Sequence, residues 1–150
     1  MIRAVFDTNL RVSAFLSRDN PGSVSSELLR LAKEGSVELY LSAEIVAETL
    51  ATLVSSERAR RRYAYTPRMA IQYCAELLSA PMIIIDPPPI TGAVARDPDD
   101  DKIIACAIAA GAEYLVSRDH DLLALGSYGG INIVSPEALL RIVRSAAQIS

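Results

Sequence analysis

Five short apolar runs, alternating with stretches of helical spacing, constrain this chain more than any other feature. The runs cover residues 2–6, 37–41, 82–85, 114–116 and 131–134, bounded by polar or turn-forming residues in the manner of buried strands. Between them, residues 23–34 read as a helix closed by Gly35, Ser42 caps one over 43–55, and Thr66 with Pro67 opens one running to Ser79. Pro98 opens a further helix, and Ser135 with Pro136 opens the last. Strands alternating with helices require right-handed crossovers, which give a parallel sheet covered on both faces. The expected fold class is α/β, with ligands bound beyond the carboxyl ends of the strands.

At 150 residues and 51% hydrophobic content the chain can bury one core, and no linker divides it, so residues 1–150 are expected to form a single domain. The apolar excess leaves surface for a partner, and a homodimer or higher homo-oligomer is expected. The start, MIRAVFDTN, lacks the apolar stretch of a signal peptide, and no run approaches the ~18 residues of a membrane span. The expected location is the cytoplasm. Cys74 and Cys106 lie in helical segments without CxxC spacing and read as buried, reduced thiols.

The strand-edge rule turns sequence positions into places. Asp7 directly follows the first strand and Asp119 follows the fourth by three residues, so both belong to one sheet edge. Asp86 also ends a strand, but three prolines follow it and it reads as a turn residue. In RDPDDDKIIACA, residues 96–107, Asp97 is placed to cap the helix and Asp99 to face solvent. Asp100 precedes Ile103, Ile104, Ala107 and Ile108 by three, four, seven and eight residues, and these with Gly111 form the expected buried stripe, so Asp100 points inward. Asp101 shares part of that face. Helical phase and the eleven-residue spacing to Gly111 favour Asp100. Glu48 is surrounded by Ile45, Val46, Ala47, Leu50 and Ala51, and it rather than Glu44 is expected to be half buried.

Convergence of Asp7, Glu48, Asp100 and Asp119 would crowd like charges, each raising the pKa of the next. A divalent cation resolves that repulsion. Oxygen donors without histidine or cysteine suit Mg²⁺ or Mn²⁺ rather than zinc. Such a site fits phosphodiester hydrolysis.

A net charge of −3 does not by itself suggest nucleic acid, but SERARRRYAYTPR gathers Arg58, Arg60, Arg61, Arg62 and Arg68 around Tyr63 and Tyr65. Guanidinium groups suit phosphate and tyrosine rings stack on bases, so Arg58, Arg60, Arg61 and Arg62 are expected to bind RNA. A solvated helix face or a subunit contact is the plainer alternative.

FDTN, the AE of IVAETL, DPDDDKIIACAIAAGAEYLVSRDHDLL and the closing SPEALL together resemble the PIN-domain ribonucleases, a family that includes the toxin halves of bacterial VapBC toxin–antitoxin pairs. The resemblance spans nearly the whole chain. It implies a three-layer α/β/α fold with a five-stranded parallel sheet in order 3-2-1-4-5. It also implies a metal held by Asp7 and Asp100, an acidic site completed by Glu48 and Asp119, and polar support from Asn9 and Ser117. Asp101 would then act through a water held to the metal. The function implied is a Mg²⁺- or Mn²⁺-dependent endoribonuclease acting on RNA, with an antitoxin protein as partner and frequently a dimer.

Two other phosphoryl chemistries fit less well. A phosphatase of the haloacid-dehalogenase type needs a second acid two residues after the first, where this chain has Asn9. A receiver domain needs an acidic pair after the first strand and a lysine after the fifth, whereas Asp7 stands alone and INIVSP has no lysine. A non-catalytic module of the same fold, binding a metal or a protein through its acidic pocket, is the alternative to the nuclease.

Overall fold

The computed structural model describes residues 2–20, 22–79, 83–84 and 98–149. Strands β1 (Ile2–Phe6), β2 (Val37–Leu41), β3 (Ile83–Ile84), β4 (Tyr114–Val116), β5 (Ser127–Tyr128) and β6 (Ile131–Val134) form one sheet in the order β3-β2-β1-β4-β6-β5. β1 pairs in parallel with β2, Ile2 opposite Val37, and with β4, Phe6 opposite Val116. β2 with β3 and β4 with β6 are also parallel, and β5 returns antiparallel to β6. The five expected strands thus stand in the order 3-2-1-4-5, and the difference is one short edge strand. Its cause is the sequence YGGI: Gly129 and Gly130 have φ of 58° and 84°, the paired positive values of a tight hairpin turn that other side chains resist. Of the run expected at 82–85, residues 83–84 are described as strand; Asp86 and Asp97 lie outside the described residues, as does the side chain of Asp99.

Eight helices are described: α1 (Thr8–Leu16), α2 (Val24–Lys33), α3 (Ala43–Ser55), α4 (Glu57–Tyr63), α5 (Pro67–Ser79), α6 (Pro98–Ala110), α7 (His120–Leu125) and α8 (Pro136–Ile149). Ser42 caps α3 as expected, accepting from the Ile45 amide, and Ser23, expected as the first residue of its helix, caps α2 by accepting from the Ser26 amide. α1, α4 and α7 were not expected, being short and, in α4, without a buried residue to set a period.

Alternation along the strands divides the core between the sheet's two faces. Ala4, Phe6, Leu39, Leu41 and Val116 pack with Leu28, Cys74, Leu77, Leu139 and Val143 from α2, α5 and α8. Val5, Tyr40, Leu115 and Ile133 pack with Ile103, Ile104, Ala107 and Leu122 from α6 and α7. The result is the three-layer α/β/α architecture. Both cysteines are buried and free, as expected. Ile108 and Gly111 correct the expected stripe: both are exposed, Ile108 by 47%, whereas residues 103–107 are buried on every side of α6. Burial there follows position along the helix, whose middle is covered all round and whose last turn emerges. Among the described residues, no helix is long and apolar enough to cross a membrane.

Candidate acidic site at the sheet edge

Strand order reverses at β1, which has β2 on one side and β4 on the other, and crevices at such reversals are where α/β sheets take ligands. The pairing of Phe6 with Val116 brings the next residues, Asp7 and Ser117, side by side. The Asp7 amide donates to the Val116 carbonyl at 2.9 Å, and the Ser117 amide to that of Val134 at 3.0 Å. Asp7 caps α1, one carboxylate oxygen accepting from the Thr8 amide at 2.7 Å and the other from the Ser117 hydroxyl at 2.6 Å. The Ser117 Oγ also accepts from the Asp119 amide at 2.9 Å. One fully buried hydroxyl therefore fixes two acidic residues with respect to each other. Asp119 caps α7 through the Leu122 amide, at 3.1 Å.

Glu48 reaches the same place from the second turn of α3. It is half buried, with one oxygen 3.4 Å from the Thr8 hydroxyl and the other 3.4 Å from Lys102 Nζ, which also lies 3.1 Å from Glu44. Asp100 comes from the first turn of α6. A pocket of about 390 Å³ is lined by Asp7, Glu48, Asp100 and Asp119 together with Thr8, Asn9, Ala51, Thr52 and Ile103. Among the described residues its lining takes Asp100 from the DDD run and not Asp101, which is half buried beside it.

Burial is the main force on Asp7 and pushes its carboxyl above the usual pKa, with the nearby Asp119 adding to the rise. The Ser117 hydroxyl, the Thr8 amide and the Arg11 guanidinium act the other way without cancelling it. Arg11 gave no signal in the sequence, standing among apolar residues in NLRVSAFL. It is fully buried, and its guanidinium donates to the carbonyls of Phe6 and Tyr40, tying together the ends of β1 and β2. Burial lowers its pKa to about 10, which leaves it cationic at neutral pH, and its Nε has no hydrogen-bond partner. The clue available was its spacing, four residues after an acid that caps the same helix. Thr8 and Thr52 were likewise missed, since their relevance depends on how α1 and α3 meet.

The donor set is all oxygen, and four carboxylates in one pocket suit a hard divalent cation. As they lie, no three of the described His, Cys, Asp or Glu side chains form a ready-made metal cage. Asp7 and Asp119 each accept an amide of the helix they cap, and Glu48 pairs with Lys102.

The arginines divide. Arg58, Arg61 and Arg62 line a surface recess on α4 with Glu57, which pairs with Arg61 at 2.7 Å. Arg60 turns inward and donates to the Val54 carbonyl. Tyr65 is buried, edge-on to Phe15 and bonded through its hydroxyl to the Leu53 carbonyl, so it has no face for a base; the expectation of stacking there is corrected. Tyr63 is half buried, with the Arg62 guanidinium 5.4 Å from its ring centre.

The crystal structure of VapBC2 from Rickettsia felis bound to a DNA fragment from their promoter is similar in fold. The TM-score is 0.59 at 16% identity, over 89% of this chain and 98% of that one. Among curated proteins none matches in sequence. The family model for the PIN domain matches residues 3–121, a span that holds all four pocket acids, and the chain belongs to the PIN domain family.

Proposed function

We propose that residues 1–150 act as one cytoplasmic PIN-like domain, a Mg²⁺- or Mn²⁺-dependent endoribonuclease. The observation that carries this reading is the convergence of Asp7, Glu48, Asp100 and Asp119, from four separate elements, on one pocket at the switch point of the sheet. Asp7, Asp100 and Asp119 would hold the ion, with Glu48 completing the acidic site. The ion supplies Lewis acidity and screens charge on the phosphodiester as it is hydrolysed. The chain's own residues orient the acids: Ser117 and the Thr8 amide aim the two oxygens of Asp7, and the Thr8 hydroxyl steadies Glu48. Lys102 neutralises Glu48 until that acid is needed. Asn9 at the pocket rim and Asp101 beside it would assist through polar contacts or water. Arg58, Arg61 and Arg62 would hold the RNA backbone; Arg60, turned toward Val54, contributes to the fold of that segment instead.

Similarity to a toxin–antitoxin complex supports a toxin role with a small antitoxin protein as partner, and the apolar composition supports a homodimer. The test is incubation with single-stranded RNA and Mn²⁺. Cleavage that EDTA abolishes is expected. Metal binding with no cleavage of any RNA would instead assign a non-catalytic module.

A further inference from the structure

A second cleft opens beside the acidic pocket and shares a residue with it. Asn9 lines both. From there one face of α1 continues through Val12, Ser13, Leu16 and Ser17, the spacing of a single helical stripe, to Tyr63 at the end of α4. The cleft measures about 320 Å³ and extends ~10 Å along the helix from Asn9 to Leu16. At its far end Tyr63 meets Arg62, which belongs to the arginine recess. The cleft therefore adjoins the carboxylates through Asn9 and the arginine recess through the contact of Tyr63 with Arg62.

We propose that the cleft formed by Asn9, Val12, Ser13, Leu16, Ser17 and Tyr63 is a nucleobase subsite, which holds one base of single-stranded RNA on the Tyr63 ring close to the bond at the acidic pocket. The proposal rests on the nuclease reading and adds to it a substrate-positioning residue. The chemistry of the walls matches a base: Val12 and Leu16 give an apolar floor, Tyr63 an aromatic wall and Asn9 a polar group for a base edge, while the Ser17 hydroxyl is turned to the Ser13 carbonyl and Ser23, and that of Ser13 to Ser25. Charge favours a nucleic acid over a protein segment as occupant, since cations at one end and a proposed metal site at the other both attract a phosphate backbone. The wall is also held in place. Arg18 donates to the Tyr63 carbonyl at 3.1 Å while lying 4.6 Å from the Phe15 ring centre, and Ala64 ends α4 in a left-handed turn with φ of 50°. The backbone that carries the Tyr63 ring is thus tied to the end of α1.

The test compares the unmodified chain with Tyr63→Leu, which keeps apolar bulk against the adjoining cluster, and Tyr63→Phe, which keeps the ring. Binding of fluorescein-labelled single-stranded oligoribonucleotides of mixed sequence is followed by anisotropy, with Ca²⁺ in place of Mn²⁺ so that the strand stays intact. A parallel set carries one abasic ribose moved along the strand. Tyr63→Leu should bind intact RNA about 5- to 100-fold more weakly, and Tyr63→Phe close to normally. At one abasic position the unmodified chain and Tyr63→Leu should bind alike, because the base that uses the ring is gone. Equal affinity of Tyr63→Leu and the unmodified chain for intact RNA overturns the subsite while leaving the nuclease reading intact if Mn²⁺ still supports cleavage. Uniform weakening on intact and all abasic strands also overturns it, since the loss would then be structural. No Mn²⁺-dependent cleavage of RNA by the unmodified chain removes the nuclease reading, and the subsite with it.

Discussion

Two residues at the sheet edge carry opposite demands, and Asp7 shows them most clearly. Its carboxyl is buried, which raises its pKa above the usual value of 3.8, yet the metal site proposed needs it ionised. A raised carboxyl pKa means that the folded state holds the proton more tightly than the unfolded chain does. Its contribution to stability is therefore complete below the unfolded pKa and is lost as pH rises through the folded one. Asp7→Asn removes that dependence and keeps a side chain that caps helices well. Without metal, its melting temperature should equal that of the unmodified chain at acid pH and match or exceed it at neutral pH, with Mn²⁺-supported cleavage down at least ~100-fold. Undiminished cleavage by the folded variant would sink the mechanism. Ser117→Ala tests the orienting hydroxyl. Two hydrogen bonds at a fully buried position are lost, so stability should fall by about 1–3 kcal/mol and Mn²⁺ affinity by about 10- to 100-fold in calorimetry. A destabilised variant with normal Mn²⁺ affinity would make Ser117 a packing residue only.

Among the elements, α6 and α4 were read from opposite kinds of sequence, and each has its own prediction. In α6 the phase of an Ile/Ala stripe selects Asp100, and the pocket lining takes that residue and Ile103. Asp100→Asn should lose Mn²⁺ binding and cleavage together, and Asp101→Asn should lose distinctly less of both. The reverse ranking, measured on the two single variants, would shift the metal ligand by one residue. In α4 the charge run was legible but its geometry was not, because seven residues with no buried position give no period to read. The fold places Arg58, Arg61 and Arg62 outward and turns Arg60 toward Val54. Replacing each outward arginine by alanine should lower the slope of log RNA affinity against log salt by about 0.7, and Arg60→Ala should leave that slope unchanged. An unchanged slope in the outward variants would assign the recess to another partner.

For the molecule as a whole, a cation bound by the folded state alone must stabilise it. Mn²⁺ at about a hundred times its dissociation constant should add roughly 2.7 kcal/mol, a rise of roughly 5–10 °C in melting temperature for a chain of this size. EDTA should reverse the rise, and Asp7→Asn should not show it. A melting temperature indifferent to Mn²⁺ would show that the acids do not form a metal site.

The strand order 3-2-1-4-5 came with the family resemblance; the sequence's own pattern determined the five strand runs, their parallel pairing and the edge on which Asp7 and Asp119 stand. These follow from local rules, since an apolar run, a capping serine or a Pro at a first turn acts through its neighbours in the chain. Even the one missed strand had a local sign in its paired glycines. Tertiary structure alone decided what depends on which surfaces meet. It turned Arg11 inward beneath Asp7, because the ends of β1 and β2 present carbonyls that a guanidinium can satisfy there. It buried Tyr65 and left Tyr63 at a cleft, although the two lie two residues apart in one charged run, because the left-handed turn at Ala64 swings the chain between them. It exposed Ile108, because cover on α6 ends before the stripe does. Periodicity records which side of an element is apolar; how far the neighbouring layer extends, and which polar groups it offers, is set by the packing of the whole chain.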